Sequence, residues 1–417
     1  MLAKLISLIE RKSDLFLYFL VALLLIFGLA YAVNLGNTIR FYPDECDYSD
    51  LAQNLVATGR YTLDGRQLTA YRPPGYPVYL AALAYLGGKV VHFRLLNFLA
   101  LAIVIWCVYK ILKEQSTPFA ASLGSLLVIG YPLAFYTAGT LYPQTLAAAL
   151  FLLALYFFTR RAMKSLDYFL SGLFLCCLIL TIPSFAFVLV VFAVWLRLVP
   201  PHRSAKGWVI VFIPVIFLLG GWTVRNYLVF DTFVFVSTNA GENLLIGNSE
   251  NTTPNAGRTA NISRYMAEAE PLGEVERDHY YRTKALEFML AHKAHTVRLY
   301  FLKVLNYFNF RNDLVTKSAI STTKDLVLML TYGPLLFLLI LRLALSKLYK
   351  LSPFEILLAS LYLSNAFVSA IFFTRVRFRL PFDFLLILLA ALFLERLIRG
   401  ELLKLVYDRV KLIASHQ

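Results

Sequence analysis

The stretch "LFLYFLVALLLIFGLAYAV", Leu15 to Val33, precedes the loop sequence "FYPDECDY", Phe41 to Tyr48. The first stretch has no charged residue and is long enough to cross ~30 Å of hydrocarbon as a helix. Three carboxylates, those of Asp44, Glu45 and Asp47, then stand just beyond the predicted membrane exit. The sequence therefore predicts a transmembrane helix at Leu15 to Val33, followed by acidic side chains at one membrane surface.

The composition of the whole chain supports the same class. Of the 417 residues, 59% are hydrophobic and only 16% are charged, with a mean hydropathy of +0.66. A chain so apolar is typical of a polytopic membrane protein and excludes an ordinary soluble fold. The formal net charge is +15. In a membrane protein, basic residues are expected in cytoplasmic loops and near anionic lipid head groups, so no nucleic-acid partner is predicted.

Hydropathy predicts an all-α integral membrane protein with about ten transmembrane helices. The spans are expected near 14–33, 91–112, 118–139, 140–159, 166–182, 183–197, 207–224, 324–341, 353–373 and 380–398. A further apolar stretch, Gly75 to Leu86, has only 12 residues and is predicted to lie in the membrane interface.

The distribution of basic residues sets the predicted orientation. The loops around Ala138–Gln144 and Thr181–Ser184 contain no Lys or Arg, whereas the alternate loops are basic. By the positive-inside rule, the basic loops and both termini face the cytoplasm of a cytoplasmic (inner) membrane. The basic residues concerned are Lys110, Lys113, Arg160, Arg161, Lys164, Arg197, Arg203, Lys206, Arg342, Lys347, Lys350, Arg396, Arg399, Lys404, Arg409 and Lys411.

Three regions follow from this topology. Residues 1–224 form an N-terminal transmembrane module whose first outward loop spans 34–90. Residues 225–323 form an extracytoplasmic loop region with eleven Lys and Arg against ten Asp and Glu. Residues 324–417 form the C-terminal transmembrane helices and a cytoplasmic tail. The middle region is predicted to be helical, with an apolar face on its membrane side made of Leu286, Met289, Leu290, Val297, Tyr300 and Phe301.

Arginines in the outward segments break the charge rule that the other loops obey. They are Arg72 in "YRPPGYP", Arg225 in "GWTVRNY", and Arg375, Arg377 and Arg379 in the short link "TRVRFR". Guanidinium groups bind phosphate oxygens with charge-assisted, often bidentate hydrogen bonds. The pattern predicts a site for a lipid-linked phosphate, beside which a carboxylate can take a proton from an attacking hydroxyl.

Simpler interpretations exist for each of these residues. Asp44 follows Pro43 and is a fair helix cap, and Glu45 and Asp47 complement a helix dipole in the first turn. Arg72 is also suited to anchoring in the interface, and the arginines of the link to binding lipid head groups. For Arg225 the sequence favours neither interpretation.

These motifs together resemble one known family. "PDECDY" followed by "RPPGYP", with "GWTVRNYLVFDTFVFVSTNAGENLLIGN" and "RVRFRLPFDFLLILLA" further on, is similar to GT-C glycosyltransferases. The resemblance is to the branch of protein O-mannosyltransferases and lipid A aminoarabinose transferases (family 39-like). It implies a GT-C type bundle with interfacial helices in the first outward loop and sugar transfer from a polyprenyl-phosphate donor, usually with inversion. It also implies no metal and no cofactor besides the donor substrate.

For this chain the resemblance implies Asp44 as the catalytic base and Glu45 as its neighbour or an acceptor-site group. Arg72 matches a basic position that meets the donor phosphate. The expected function is therefore a membrane glycosyltransferase with an extracytoplasmic active site, transferring a hexose or pentose to a glycan, lipid or protein acceptor, as in cell-envelope glycan, lipopolysaccharide or protein glycosylation. The alternative is a transporter or flippase of a lipid-linked or anionic substrate, which commonly has ionisable groups near the bilayer midplane.

Overall fold

The computed structural model describes residues 2–39, 43–199, 205–255, 259–311 and 322–400. Within these ranges the chain is all-helical, without a β-strand longer than a single bridge. Phe41, Arg203 and the tail residues Lys404, Arg409 and Lys411, on which part of the sequence prediction rests, lie outside the described residues.

The helices are numbered in chain order. The first nine are α1 (Leu2–Arg11), α2 (Ser13–Leu35), α3 (Asp44–Thr58), α4 (Gly75–Ala84), α5 (Val90–Gln115), α6 (Pro118–Ile129), α7 (Pro132–Ala138), α8 (Gln144–Phe158) and α9 (Ser165–Thr181). The others are α10 (Phe187–Leu198), α11 (Ala205–Pro214), α12 (Gly220–Phe230), α13 (Ala240–Gly247), α14 (Ser263–Ala269), α15 (Glu274–Ala291), α16 (Lys293–Tyr307), α17 (Thr322–Ala344), α18 (Pro353–Ile371) and α19 (Val376–Ile398). A 3₁₀ turn at Pro183–Ala186 precedes α10, and a π-helical turn at Val215–Leu219 joins α11 to α12.

The protein is a multi-pass membrane protein. Among the described residues, five helical segments are long and apolar enough to cross a membrane: Ser13–Leu35, Val90–Gln115, Lys206–Phe230, Thr322–Lys347 and Pro353–Ile371. A sixth is formed if α6 and α7, which are bent by 60°, count as one span.

The predicted number of ten spans is not confirmed. Helices α8 and α9, with 15 and 17 residues, and the segment Pro183–Leu198, which contains α10, are apolar but shorter than a perpendicular span needs. Helix α19 has 23 residues, but its first turns contain Arg377, Arg379 and Asp383. Hydropathy alone counted these four segments with the longer ones because it does not register where a helix breaks or which charges are paired.

The core of the bundle is built around α19. Nearly every residue of this helix from Leu380 to Phe393 is buried, whichever way its side chain points. A helix that is apolar on all sides belongs at the centre of a bundle. Helix α2 is different: it buries a single stripe of small and aliphatic residues, among them Leu17, Leu24 and Ala32, and leaves its other faces at the surface.

A second, smaller core lies within the 225–323 region. Leu245, Ile246, Tyr281 and Ala285 form it together with Phe373 from the segment before α19. The predicted long helix of this region is divided at His292 into α15 and α16. Its predicted apolar face lies at the protein surface, since Leu286, Leu290, Val297 and Phe301 are all exposed.

The two helices that carry the predicted site begin where the sequence places charges. Helix α3 starts after Pro43 with three acidic residues in its first turn and ends at Gly59, whose φ of +68° suits glycine. Helix α19 begins at Val376, four residues earlier than the predicted start at 380. Arg377 and Arg379, which the sequence analysis placed in the short link from Thr374 to Arg379, therefore belong to the first turn of a helix.

Candidate active site

The carboxylate of Asp44 lies between two arginines from distant parts of the chain. Arg72 Nη2 donates to Asp44 Oδ1 at 2.7 Å, and Arg377 Nη2 donates to Asp44 Oδ2 at 3.2 Å. Asp44 and Arg72 side chains are each 9% exposed, and Arg377 is 29% exposed. The start of α3, the "YRPPGYP" segment and the start of α19 therefore meet in one charged cluster.

Aromatic rings and a second carboxylate complete the setting of this cluster. Asp47 Oδ2 accepts hydrogen bonds from Arg72 Nε at 3.0 Å and from Nη2 at 2.6 Å. The Arg72 guanidinium lies 4.9 Å from the centre of the Tyr71 ring, and that of Arg377 lies 4.4 Å from the centre of the Tyr142 ring. Such cation–π contacts fix the plane of each guanidinium.

Two members of this setting were not predicted from the sequence. Asp47 looked like a helix-capping residue, and Tyr142 was assigned no role in the site. The spacing of three residues between Asp44 and Asp47 on a helix was the available signal, because it places both carboxylates on one face.

A cavity of about 470 Å³ opens beside the cluster. Asp44, Arg72 and Arg377 form its charged side, and the segment from Thr232 to Asn239 forms another wall. Asp278, His279 and Arg282 of α15 also line it. A space of this size, with paired charges and both polar and apolar groups in its lining, has the features of a small-molecule site.

The tyrosine beside Asp44 keeps its proton. Tyr48 lines the cavity and is 7% exposed. Burial raises the pKa of its phenol, and the negative charge of Asp44 adds to this effect while Arg72 opposes it. A neutral phenol can donate a hydrogen bond into the cavity.

Glu45 has a different environment from Asp44. Its side chain is fully buried and is not among the residues that line the cavity. Glu45 Oε1 accepts a hydrogen bond from the backbone N–H of Leu141 at 2.8 Å. The structure thus connects this residue, predicted as catalytic, to the loop between α7 and α8.

The remaining predicted arginines do not line this cavity. Arg225 donates to the carbonyl oxygen of Thr69 at 2.9 Å and stacks on Trp222. Arg375 is half-buried at the residue before α19. Arg379 is 1% exposed and donates to Asp383 at 2.8 Å and to two backbone carbonyls.

A buried lysine fixes the segment that presents Arg377. Lys303 is 1% exposed, and its Nζ donates to the carbonyl oxygens of Phe372 at 2.8 Å and Gly247 at 3.1 Å, and to Asn248 Oδ1 at 3.1 Å. Burial lowers the pKa of Lys303 to about 7. Because these acceptors are neutral oxygens, the ammonium holds the segments together without a charged partner among them.

Fold and site together define an all-helical, multi-pass membrane protein with a charged cavity lined from distant parts of the chain. No protein-family model and no curated protein matches the sequence. Among solved structures, the chain is similar to the crystal structure of ArnT from Cupriavidus metallidurans bound to undecaprenyl phosphate, with 14% identity and a TM-score of 0.41 over 89% of this chain and 77% of that chain. The apo crystal structure of the same protein gives 14% identity and a TM-score of 0.42 over 91% and 78%.

Proposed function

We propose that the protein is a membrane glycosyltransferase of the GT-C type. It moves a sugar from a polyprenyl-phosphate donor to an acceptor hydroxyl on a glycan, lipid or protein, at the outer face of the cytoplasmic membrane. The observation that carries the proposal is the carboxylate of Asp44 held between Arg72 and Arg377 at the wall of a cavity in a membrane protein. A base and two phosphate-binding groups are the parts that such a transfer needs.

The donor phosphate itself prepares the base in this proposal. In the absence of donor, both carboxylate oxygens of Asp44 accept hydrogen bonds from the arginines, which compete with an acceptor hydroxyl for these oxygens. When the phosphate enters, Arg377 and Arg72 turn toward its oxygens. With these two hydrogen bonds broken, Asp44 can accept the proton of the acceptor hydroxyl, so the donor must bind before proton transfer.

Transfer then proceeds as a single displacement. The acceptor hydroxyl gives its proton to Asp44 while its oxygen forms a bond to the anomeric carbon of the sugar. The bond from that carbon to the phosphate oxygen breaks, and its electron pair leaves with the polyprenyl phosphate. The two guanidinium groups stabilise the charge that grows on this leaving group. Attack opposite the leaving group inverts the anomeric configuration, and no metal is required.

The other predicted residues have supporting roles in the proposal. Glu45 positions the loop before α8 through the Leu141 N–H, since it does not face the cavity. Arg225, Arg375 and Arg379 are assigned no contact with the donor phosphate. Each lies away from the cavity lining, and the contacts of Arg225 and Arg379 are with the fold itself.

The test is sugar transfer by the purified protein in lipid nanodiscs. Radiolabelled polyprenyl-phosphate sugars are incubated with an extract of cell-envelope acceptors, and label in the acceptor fraction is counted. We expect transfer by the wild type and a decrease of about 10³-fold for Asp44→Asn, in the range of a lost general base. Movement of intact donor across a vesicle membrane without label transfer would show a transporter instead.

A further inference from the structure

The side-chain carbonyl oxygen of Gln144 has no hydrogen-bond partner in the described part of the chain. Gln144 is the first residue of α8, is 4% exposed, and lines the cavity. Its Oε1 is one of the few buried polar side-chain atoms without a partner and, of these, the one whose residue lines the cavity. Leaving such an atom unsatisfied costs about 1–3 kcal/mol, so a ligand that supplies a donor hydroxyl gains that much.

The loop that presents Gln144 is held firmly in place. Three successive residues before it are fixed by buried side chains. Arg94 Nε donates to Gly139 O at 3.0 Å, Asn97 Nδ2 donates to Thr140 O at 2.7 Å, and Glu45 accepts from the N–H of Leu141 at 2.8 Å. Because the loop is pre-organised, the amide of Gln144 cannot relieve its missing hydrogen bond by a small shift of the backbone.

The surroundings of Gln144 suit an uncharged polar ligand. Thr181, the last residue of α9, and Ser184 in the following 3₁₀ turn line the same cavity. These two hydroxyls and the amide carry no charge, whereas Arg72 and Arg377 on the charged side attract an anion. A molecule with a phosphate at one end and a ring of hydroxyls at the other fits this division. A neutral amide binds a hydroxyl without the desolvation of an ion.

We propose that Gln144 is a specificity-determining residue that accepts a hydrogen bond from a hydroxyl of the sugar on the lipid-linked donor. This inference rests on the proposed function. It places the sugar beside the start of α8 and the phosphate at the arginines. Gln144 then contributes to affinity for the sugar-bearing donor and nothing to affinity for the bare lipid phosphate.

The experiment compares these two affinities in the full-length protein in nanodiscs. Binding is measured for bare polyprenyl phosphate and for the mannosyl, glucosyl, galactosyl and arabinosyl polyprenyl phosphates. In the wild type, at least one sugar increases the affinity over the bare phosphate. In Gln144→Met, a variant of similar size without an acceptor, we expect that increase to fall by about tenfold while bare phosphate binds as before.

Thr145→Val is the matched control. Thr145 follows Gln144 and also has a buried side-chain oxygen without a partner, but it does not line the cavity. We expect Thr145→Val to keep the full gain from the sugar. Unchanged binding of bare phosphate also shows that each variant is folded.

Three outcomes overturn the inference. One is a Gln144→Met variant in which the sugar increases the donor affinity as much as in the wild type. This includes a variant in which only the KM for the acceptor increases. Another is a wild type whose affinity is increased by none of the four sugars over that for the bare phosphate. The third is a Thr145→Val variant that loses as much of this increase as Gln144→Met does. The proposed function fails differently, through a wild type that does not bind bare polyprenyl phosphate at all.

Discussion

Arg377 and Arg379 are two residues apart, yet their environments are opposite. Arg377 reaches the cavity and pairs with Asp44 from a distant helix, with 29% of its side chain exposed. Arg379 is enclosed in the bundle and pairs with Asp383 one turn further along α19, with both side chains at most 1% exposed. Since each helical residue turns by about 100°, two residues are separated by about 200° and point to opposite sides.

The adjacent acids at the start of α3 show the same contrast. Asp44 faces the cavity, whereas Glu45 is fully buried and holds the loop before α8. In each pair, one charge is available to a ligand and the other belongs to the fold. The comparison teaches that a charged motif near a membrane contains both functional and structural members, and that helix rotation separates them.

The largest expected effect is the loss of stability when the buried ion pair of Arg379 and Asp383 is broken. Arg379→Met leaves the Asp383 carboxylate buried without its charged partner, which costs about 3–5 kcal/mol. We expect a much lower thermal unfolding midpoint in detergent. The control is the double variant Arg379→Met, Asp383→Leu, which removes both charges and restores most of the stability. A single variant as stable as the wild type would show that the pair is not structural.

The corresponding change in the pair of Arg377 and Asp44, which lines the cavity, affects ligand binding instead of stability. Arg377→Met removes a guanidinium from the cavity, and we expect the affinity for polyprenyl phosphate to fall by about 10- to 100-fold, the value of a charge-assisted hydrogen bond. The unfolding midpoint stays close to that of the wild type because Asp44 keeps Arg72. Arg225→Met, which changes an arginine outside the cavity lining, should leave this affinity unchanged; an equal loss there would contradict the contrast.

Lys303 offers a test of a buried charge without a charged partner among its bonded groups. Its pKa is lowered by burial to about 7 in the folded protein and is normal, near 10.4, in the unfolded chain. Between these values the unfolded state binds up to one more proton, so the free energy of unfolding increases with pH. Relative to Lys303→Met, the wild type should gain about 1.4 kcal/mol per pH unit from pH 8 to 9.

This gain is measured as the difference between the unfolding curves of the two proteins at each pH. All other titratable groups of the chain are unchanged in the Lys303→Met variant. They are common to both proteins, so their titration cancels in the difference. A difference that does not change with pH would mean that Lys303 keeps an ordinary pKa.

The smallest expected effect is at Glu45. Glu45→Gln keeps an oxygen that can accept from the Leu141 N–H, so we expect transfer activity within a few-fold of the wild type, below about 1 kcal/mol. Glu45→Leu removes the acceptor and should destabilise the protein by about 1–3 kcal/mol. Loss of transfer in Glu45→Gln as large as in Asp44→Asn would restore Glu45 to the catalytic machinery.

The sequence predicted the helical fold and the distant segments that meet at Asp44. Charge bias and the apolar spans are local properties, and the order of acid, "RPPGYP" and "RVRFR" marked the segments that the fold brings together. The individual roles within "RVRFR" were not predictable, because they depend on α19 starting at Val376 and not at 380. Glu45, Gln144 and Lys303 acquire their partners, or lack them, only through tertiary packing.

The central claim is that Arg72 and Arg377 exchange Asp44 for a lipid phosphate. The most direct measurement is an experimental structure of the protein in nanodiscs with polyprenyl phosphate bound. We predict phosphate density within hydrogen-bond distance of both guanidinium groups, with at least one of them moved away from Asp44. Phosphate bound elsewhere, or an Asp44 that lies on the opposite membrane face from Arg377, would contradict the account.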